Sequence, residues 1–117
     1  MHFNEMPFED AIPVEGYGPG MFRIAGQVHQ GAVLLCGAKV VPWGGYADRD
    51  SLLDLKGQID FIIIGTGPDM THLPKEFREV FEAAEIGLEP MATPTAARTY
   101  NVLASEGRRV AVALLPV

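Results

Sequence analysis

The sequence predicts an α/β domain whose second half runs β-α-β-α-β. Three observations point to it. Ile59-Asp60-Phe61-Ile62-Ile63-Ile64 is nearly continuous in apolarity and rich in β-branched residues, as a strand buried on both faces should be. Phe77, Val80, Phe81 and Ala84 recur at i, i+3, i+4 and i+7, which is one face of a helix. Thr93-Pro94 offers a second helix an N-cap and a first-turn proline, and Gly107 stands where that helix should stop. Strands and helices in this order favour parallel pairing through right-handed crossovers.

The elements follow in order. Gly16-Tyr17-Gly18-Pro19-Gly20 reads as a breaker cluster. Residues 21–25 read as a half-buried strand, with Phe22 and Ile24 at alternating positions. Residues 26–31 read as a turn, and 32–36 as a strand apolar on both faces. Val40-Val41-Pro42-Trp43 leads into the Gly44-Gly45 breaker. Asp48 or Asp50 caps a short helical turn through Leu52, Leu53 and Leu55. Strand 59–64 ends at Gly65-Thr66-Gly67-Pro68. A helix starts near Pro74, with Glu76, Arg78, Glu79 and Glu82 on its outer side. A glycine is expected nearer this helix's end than the Glu85-Ile86-Gly87 stretch provides. Strand 86–91, the helix from Thr93 to Glu106 and strand 110–115 complete the chain. Ala96, Ala97, Tyr100, Leu103 and Ala104 form the inner face of the last helix. The first-half strands extend the sheet or build a second layer.

The 117 residues suffice for one domain, 1–117, and are too few for two of ordinary size. With 48% hydrophobic and 21% charged residues, the chain is not composed like a disordered one. A net charge of −6 argues against binding to nucleic acid, which needs a basic patch. No apolar run is long enough for a transmembrane segment. The start, Met1-His2-Phe3-Asn4-Glu5, has neither a basic n-region nor an apolar h-region, so no export signal is expected. Together with a single cysteine, Cys36, this makes a cytoplasmic location the expectation.

Candidate chemistry is sparse. Gly65-Thr66-Gly67 follows the buried strand, at the end of an open α/β sheet where ligands bind. Its amide groups suit an anion, but the segment is neither a Lys-containing phosphate loop nor a three-glycine dinucleotide fingerprint. A tight turn is the competing reading. Arg98 and Asn101 are i, i+3 neighbours on the last helix, one turn after Thr95. Arg98 suits a carboxylate or phosphate, with Asn101 orienting it. It equally suits a salt bridge to an acid such as Asp60 or Glu89. His2, His29 and His72 lack metal-ligand spacing, so neither metal nor cofactor is expected. Cys36 reads as a buried structural thiol. Neither Ser51 nor Ser105 lies in a nucleophile elbow, and no catalytic carboxylate pair stands out. Trp43, in a glycine-rich loop, reads as a protein-contact residue or as a plug of the core.

A longer pattern joins these segments: Gly16-Tyr17-Gly18, Phe22-x-Ile24-x-Gly26, Pro42-Trp43 and Phe61-Ile62-Ile63-Ile64-Gly65-Thr66-Gly67. It ends with Met91-x-Thr93-x-x-Ala96-x-Arg98-Thr99-Tyr100-Asn101-Val102-Leu103 and Glu106-Gly107-Arg108. Over nearly the whole chain this resembles the domain-of-unknown-function family 498, which includes mitochondrial respiratory complex I assembly factors and an adipogenesis-associated homologue. The resemblance implies a compact layered α/β fold with a mixed central sheet and no established catalytic activity.

The leading expectation is a non-enzymatic protein-binding module, with respiratory complex subunits or assembly factors as partners. The alternative is a small-molecule binding protein or enzyme, its anionic ligand held by Gly65, Thr66, Gly67, Arg98 and Asn101. A third is a homo-oligomer with a purely structural role.

Overall fold

The computed structural model describes residues 11–117, so the reading of Met1–Glu5 and of His2 lies outside the described residues. Its elements are β1 (Val14–Gly18), β2 (Met21–Ile24), β3 (Gln27–Gln30), β4 (Val33–Cys36), β5 (Lys39–Pro42), α1 (Asp50–Leu53), β6 (Phe61–Gly65), α2 (Lys75–Ala83), β7 (Gly87–Met91), α3 (Thr93–Ser105) and β8 (Val110–Leu114). A five-stranded sheet has the order β5-β4-β8-β6-β7. β6 pairs in parallel with both β7 and β8, through crossovers that contain α2 and α3. β4 and β5 extend the sheet antiparallel on the β8 side, so the sheet is mixed. β1, β2 and β3 form a separate antiparallel sheet. The first-half strands thus both extend the central sheet and build a second layer.

The apolar strands β4, β6 and β8 are explained by their place between two cores. Leu34, Ile62, Ile64, Ala111 and Ala113 pack with Phe77 and Phe81 of α2 and Leu52 of α1. Val33, Leu35, Ile63, Val112 and Leu114 face the other way, onto Ala96, Ala97 and Tyr100 of α3 and Phe22 and Ile24 of β2. Successive side chains point to opposite sides, so each face must be apolar.

Three local expectations differ from the structure. Residues 26–31 hold β3, and the turn is confined to Ala25-Gly26. Gln27, Val28 and Gln30 are exposed, so this edge strand carries no apolar alternation to betray it. Gly16, Tyr17 and Gly18 lie within β1, and only Pro19-Gly20 turn the chain. The central strand starts at Phe61, because the Asp60 N–H leaves the ladder for the Arg109 carbonyl at 2.7 Å.

The end of α2 solves its glycine problem differently. Glu85 adopts φ 61°, the left-handed conformation usually given to glycine. The Ile86 N–H donates to the Phe81 carbonyl at 3.0 Å and closes the helix. A side chain in this conformation costs about 1 kcal/mol. Glu85→Gly should therefore raise the stability by about 0.5–1 kcal/mol in urea unfolding, less the added freedom of the unfolded chain. A loss of stability would contradict this account of the cap.

Candidate functional site

β6 delivers Gly65, Thr66 and Gly67 to the carboxyl end of the parallel strands. Gly65 sits against its neighbours with no room for a side chain. A Cβ there would lie 2.7 Å from Leu114 Cδ2 and 2.8 Å from Thr93 Oγ1. Gly67 has φ +106°, a conformation that side chains rarely adopt. The sequence thus needs small residues here for packing and for the turn.

The hydrogen bonds of this turn are satisfied from within. The Thr66 N–H donates to the Met91 carbonyl at 2.9 Å. Its hydroxyl donates to the Asp69 carbonyl at 2.7 Å and accepts from the Thr71 N–H at 3.2 Å. The Gly67 N–H donates to Thr93 Oγ1 at 2.9 Å, and the same hydroxyl donates to the Leu115 carbonyl at 2.7 Å. The Thr93 N–H returns to the Gly67 carbonyl at 2.8 Å, while the Leu115 N–H reaches the Gly65 carbonyl at 2.9 Å. One buried hydroxyl therefore joins the β6 turn, the start of α3 and the end of β8. The amides of Thr66 and Gly67, read as donors for an anion, are occupied by the chain itself.

Thr93 was expected to cap α3. It is the helix's first residue instead, with Ala92 at the cap and no side-chain cap bond. The hydroxyl is drawn inward because the Gly67 amide and Leu115 carbonyl otherwise lack partners in a buried place. Sequence reasoning missed this link, since its three members are 26 and 22 residues apart. The signal available was a Thr before a helix proline, opposite two glycines.

Arg98 and Asn101 lie elsewhere on α3 and do different work. The Asn101 amide brackets Val14: Oδ1 accepts from its N–H at 2.8 Å, and Nδ2 donates to its carbonyl at 2.9 Å. This ties the small sheet to α3 and consumes the group assigned to a ligand. Arg98 is exposed and, among the described residues, has no ion-pair partner. Asp60, one of its two proposed partners, pairs with Arg109 at 3.1 Å. The structure thus brings Gly65, Thr66 and Gly67 to Thr93, while the Asn101 amide is engaged by Val14 and Arg98 stands exposed.

Trp43 is 4% exposed and belongs to the α2-side core. Its indole N–H donates to the Asp48 carbonyl at 3.0 Å, and its ring meets Tyr46 edge-on at 5.9 Å. Asp48, not Asp50, organises the turn before α1, accepting from the Ser51 hydroxyl at 2.8 Å and the Gly44 N–H at 3.2 Å. The Ser51 hydroxyl chiefly holds its carboxyl below the usual value, with the Gly44 and Ser51 amides assisting against partial burial. Among the described residues, the large apolar side chains that are exposed are Tyr17, Val28, Met70 and Val102.

Two buried acids should make stability fall at alkaline pH. Burial pushes the Cys36 thiol up to about 11, with Lys39 opposing. Burial, with Cys36 adding to it, also raises the Tyr100 hydroxyl, which has no hydrogen-bond partner. Above the ordinary thiol value the unfolded chain loses a proton that the folded chain keeps. Stability should fall as pH rises from about 9 to 11, by up to about 1.4 kcal/mol per unit for the thiol. Cys36→Ala should flatten that limb relative to wild type in urea unfolding between pH 8 and 10.5, whatever its cost at pH 7. An unchanged slope would contradict the burial of the thiol.

A family model described as "Protein of unknown function (DUF498/DUF598)" matches residues 14–115. The chain belongs to this family. The match spans the DUF498/DUF598 domain from β1 to the residue after β8, including Gly65-Thr66-Gly67 and all of α3. The chain is similar to an uncharacterised protein of Rhodobacter capsulatus, 50% identical over 97% of this chain and 91% of the relative. It is also similar to NADH dehydrogenase (ubiquinone) 1 alpha subcomplex assembly factor 3 of Mus musculus, 28% identical over 93% of this chain. The match spans 63% of that assembly factor's length. A crystal structure described as an outer membrane protein from Bartonella henselae superimposes with a TM-score of 0.81, at 32% identity and 99% coverage of both chains. The DUF498/DUF598 chain is thus related to a complex I assembly factor and has the mixed α/β fold expected of it.

Proposed function

We propose that this chain is a non-enzymatic protein-binding module whose partners are respiratory complex subunits or assembly factors. The observation behind the reading is its similarity to the mouse assembly factor along 93% of its own length. The occupied amides of Thr66 and Gly67 support it, because they weaken the small-molecule alternative at that turn. The reading invokes no metal or cofactor and keeps the cytoplasmic location expected from a lone thiol. Among the described residues, no helix is long and apolar enough to cross a membrane.

The proposed contact surface is the outward side of α3 with the neighbouring β1. Arg98 and Val102 are exposed one turn apart, and Val102 is 55% exposed. The Asn101 bracket holds β1, with its exposed Tyr17, in the same layer. Arg and Tyr are the residue types that concentrate binding energy at protein interfaces. Trp43 enters as internal support for the 43–48 loop. The test is affinity co-purification of the tagged chain from detergent-solubilised native extract at low salt, read by mass spectrometry. Wild type should recover respiratory subunits or assembly factors in stoichiometric amounts, and Arg98→Glu/Val102→Asp should recover at least about tenfold less while unfolding at the wild-type temperature. Recovery of none by wild type, or equal recovery by both, would overturn the reading.

A further inference from the structure

A second feature of the molecule is independent of that contact surface and lies on the opposite side of the central sheet. α2 covers the β6 side of this face, but the β4–β5 side is left to α1, a helix of 4 residues. One helical turn cannot cover two strands, and a cleft of about 380 Å³ remains between the β4–β5 hairpin and the segment after α1. Its lining is mixed: Leu34 and Leu55, both buried, and the half-buried Val41 give an apolar floor, beside the polar Ser51 and Gln58. Lys39 and Asp54 line the same cleft and are both exposed, so one positive and one negative group stand toward solvent. Neither has an ion-pair partner among the described residues, whereas nearby Asp48 is engaged by Ser51 and Gly44.

We infer that this cleft binds a small zwitterion carrying a branched aliphatic group, the chemistry of a free aliphatic α-amino acid. The volume falls within the range of small-ligand sites, roughly 300–1,000 Å³. An aliphatic side chain fits the Leu34, Val41 and Leu55 floor, where it leaves water. The ligand's carboxylate meets Lys39 and its ammonium meets Asp54. A ligand with one charge leaves one of these groups without a partner, and a wholly apolar ligand leaves both. A molecule with opposite charges engages both groups and is therefore favoured over one with a single charge. Because both groups are exposed, each contributes modestly and the apolar floor supplies the remainder.

The test is a titration of the ¹⁵N-labelled full chain, followed by amide chemical shifts, with three probes: L-leucine, 4-methylpentanoate and 3-methylbutylamine. They share the branched aliphatic group and carry both charges, the negative alone and the positive alone. L-Leucine should move the Cys36, Val41 and Leu55 amides in a saturable way, and each single-charge probe should bind at least about fivefold more weakly. Lys39→Gln and Asp54→Asn should each weaken L-leucine about fivefold without changing the unfolding temperature, since both side chains are exposed. No saturable shift with L-leucine, equal binding of the three probes, or unchanged binding in both variants would overturn the proposal. The Arg98→Glu/Val102→Asp variant should bind L-leucine as wild type does, which separates this site from the proposed protein contact.

Discussion

Thr93→Val should destabilise the protein by about 3 kcal/mol and lower its melting temperature by about 10 °C. The change preserves shape and removes only the hydroxyl. That hydroxyl is the acceptor for the Gly67 N–H and the donor to the Leu115 carbonyl. Thr93 is fully buried, so water cannot replace it without opening the structure. Each buried group left unpaired costs about 1–3 kcal/mol, which is why the effect exceeds that of an ordinary lost hydrogen bond. Thr93→Ser keeps both bonds and loses one methyl group, at a cost of about 1 kcal/mol. Urea unfolding of the two variants decides the matter. Equal losses in Ser and Val would mean that packing, not the hydroxyl, holds this corner together.

Gly65→Ala should cost about 3 kcal/mol, a large effect for one methyl group. The new Cβ would stand 3.2 Å from the Thr93 Cα as well as inside contact distance of Leu114 Cδ2 and Thr93 Oγ1. Leu114 is a flexible side chain and can shift, but the Thr93 backbone is held by the Gly67 carbonyl. Pushing on Thr93 also lengthens the two hydroxyl bonds. Leu114→Val beside Gly65→Ala should relieve part of the clash, so the double variant should cost about 1 kcal/mol less than the two single costs added together. Strict additivity in urea unfolding would show that Gly65 and Leu114 do not press on one another.

These effects locate what was legible in the sequence. β4, β6 and β8 were readable because burial on both faces imposes an apolar run that few other structures need. α2 and α3 were readable because one buried face imposes a 3.6-residue period, and Gly107 marks an end. β3 was hidden because it is an exposed edge strand, where nothing constrains residue type. The left-handed position at Glu85 was hidden because a side chain stands where glycine is usual. At the candidate site, the closeness of Gly65 and Gly67 to a helix was readable from their place after the central strand. Their partner was not: Thr93 and Asn101 act on residues 26 and 87 positions away, and only folding reveals which groups meet. Trp43 was open to two readings, a contact residue or a plug of the core, and the Asp48 carbonyl and the Tyr46 ring hold it in the core.

The distinction has a functional consequence. A ligand crevice at the end of an open α/β sheet needs free backbone donors. Here the Gly67 donor is taken up by the chain's own Thr93 hydroxyl. Features that face solvent include the Arg98–Val102 side of α3, Tyr17, and the separate cleft beside β5. The proposed protein contact and the proposed cleft accordingly lie on these surfaces rather than at the glycine turn.

The most direct test of that assignment is the Gly67 amide, followed by ¹⁵N–¹H NMR through hydrogen exchange and a titration with inorganic phosphate. The Gly67 N–H should exchange slowly, its shift should stay constant as phosphate is added, and Thr93→Val should abolish the protection. Fast exchange in wild type, with a saturable shift of Gly67 and Thr66 on adding phosphate, would contradict the account and return the ligand site to the turn.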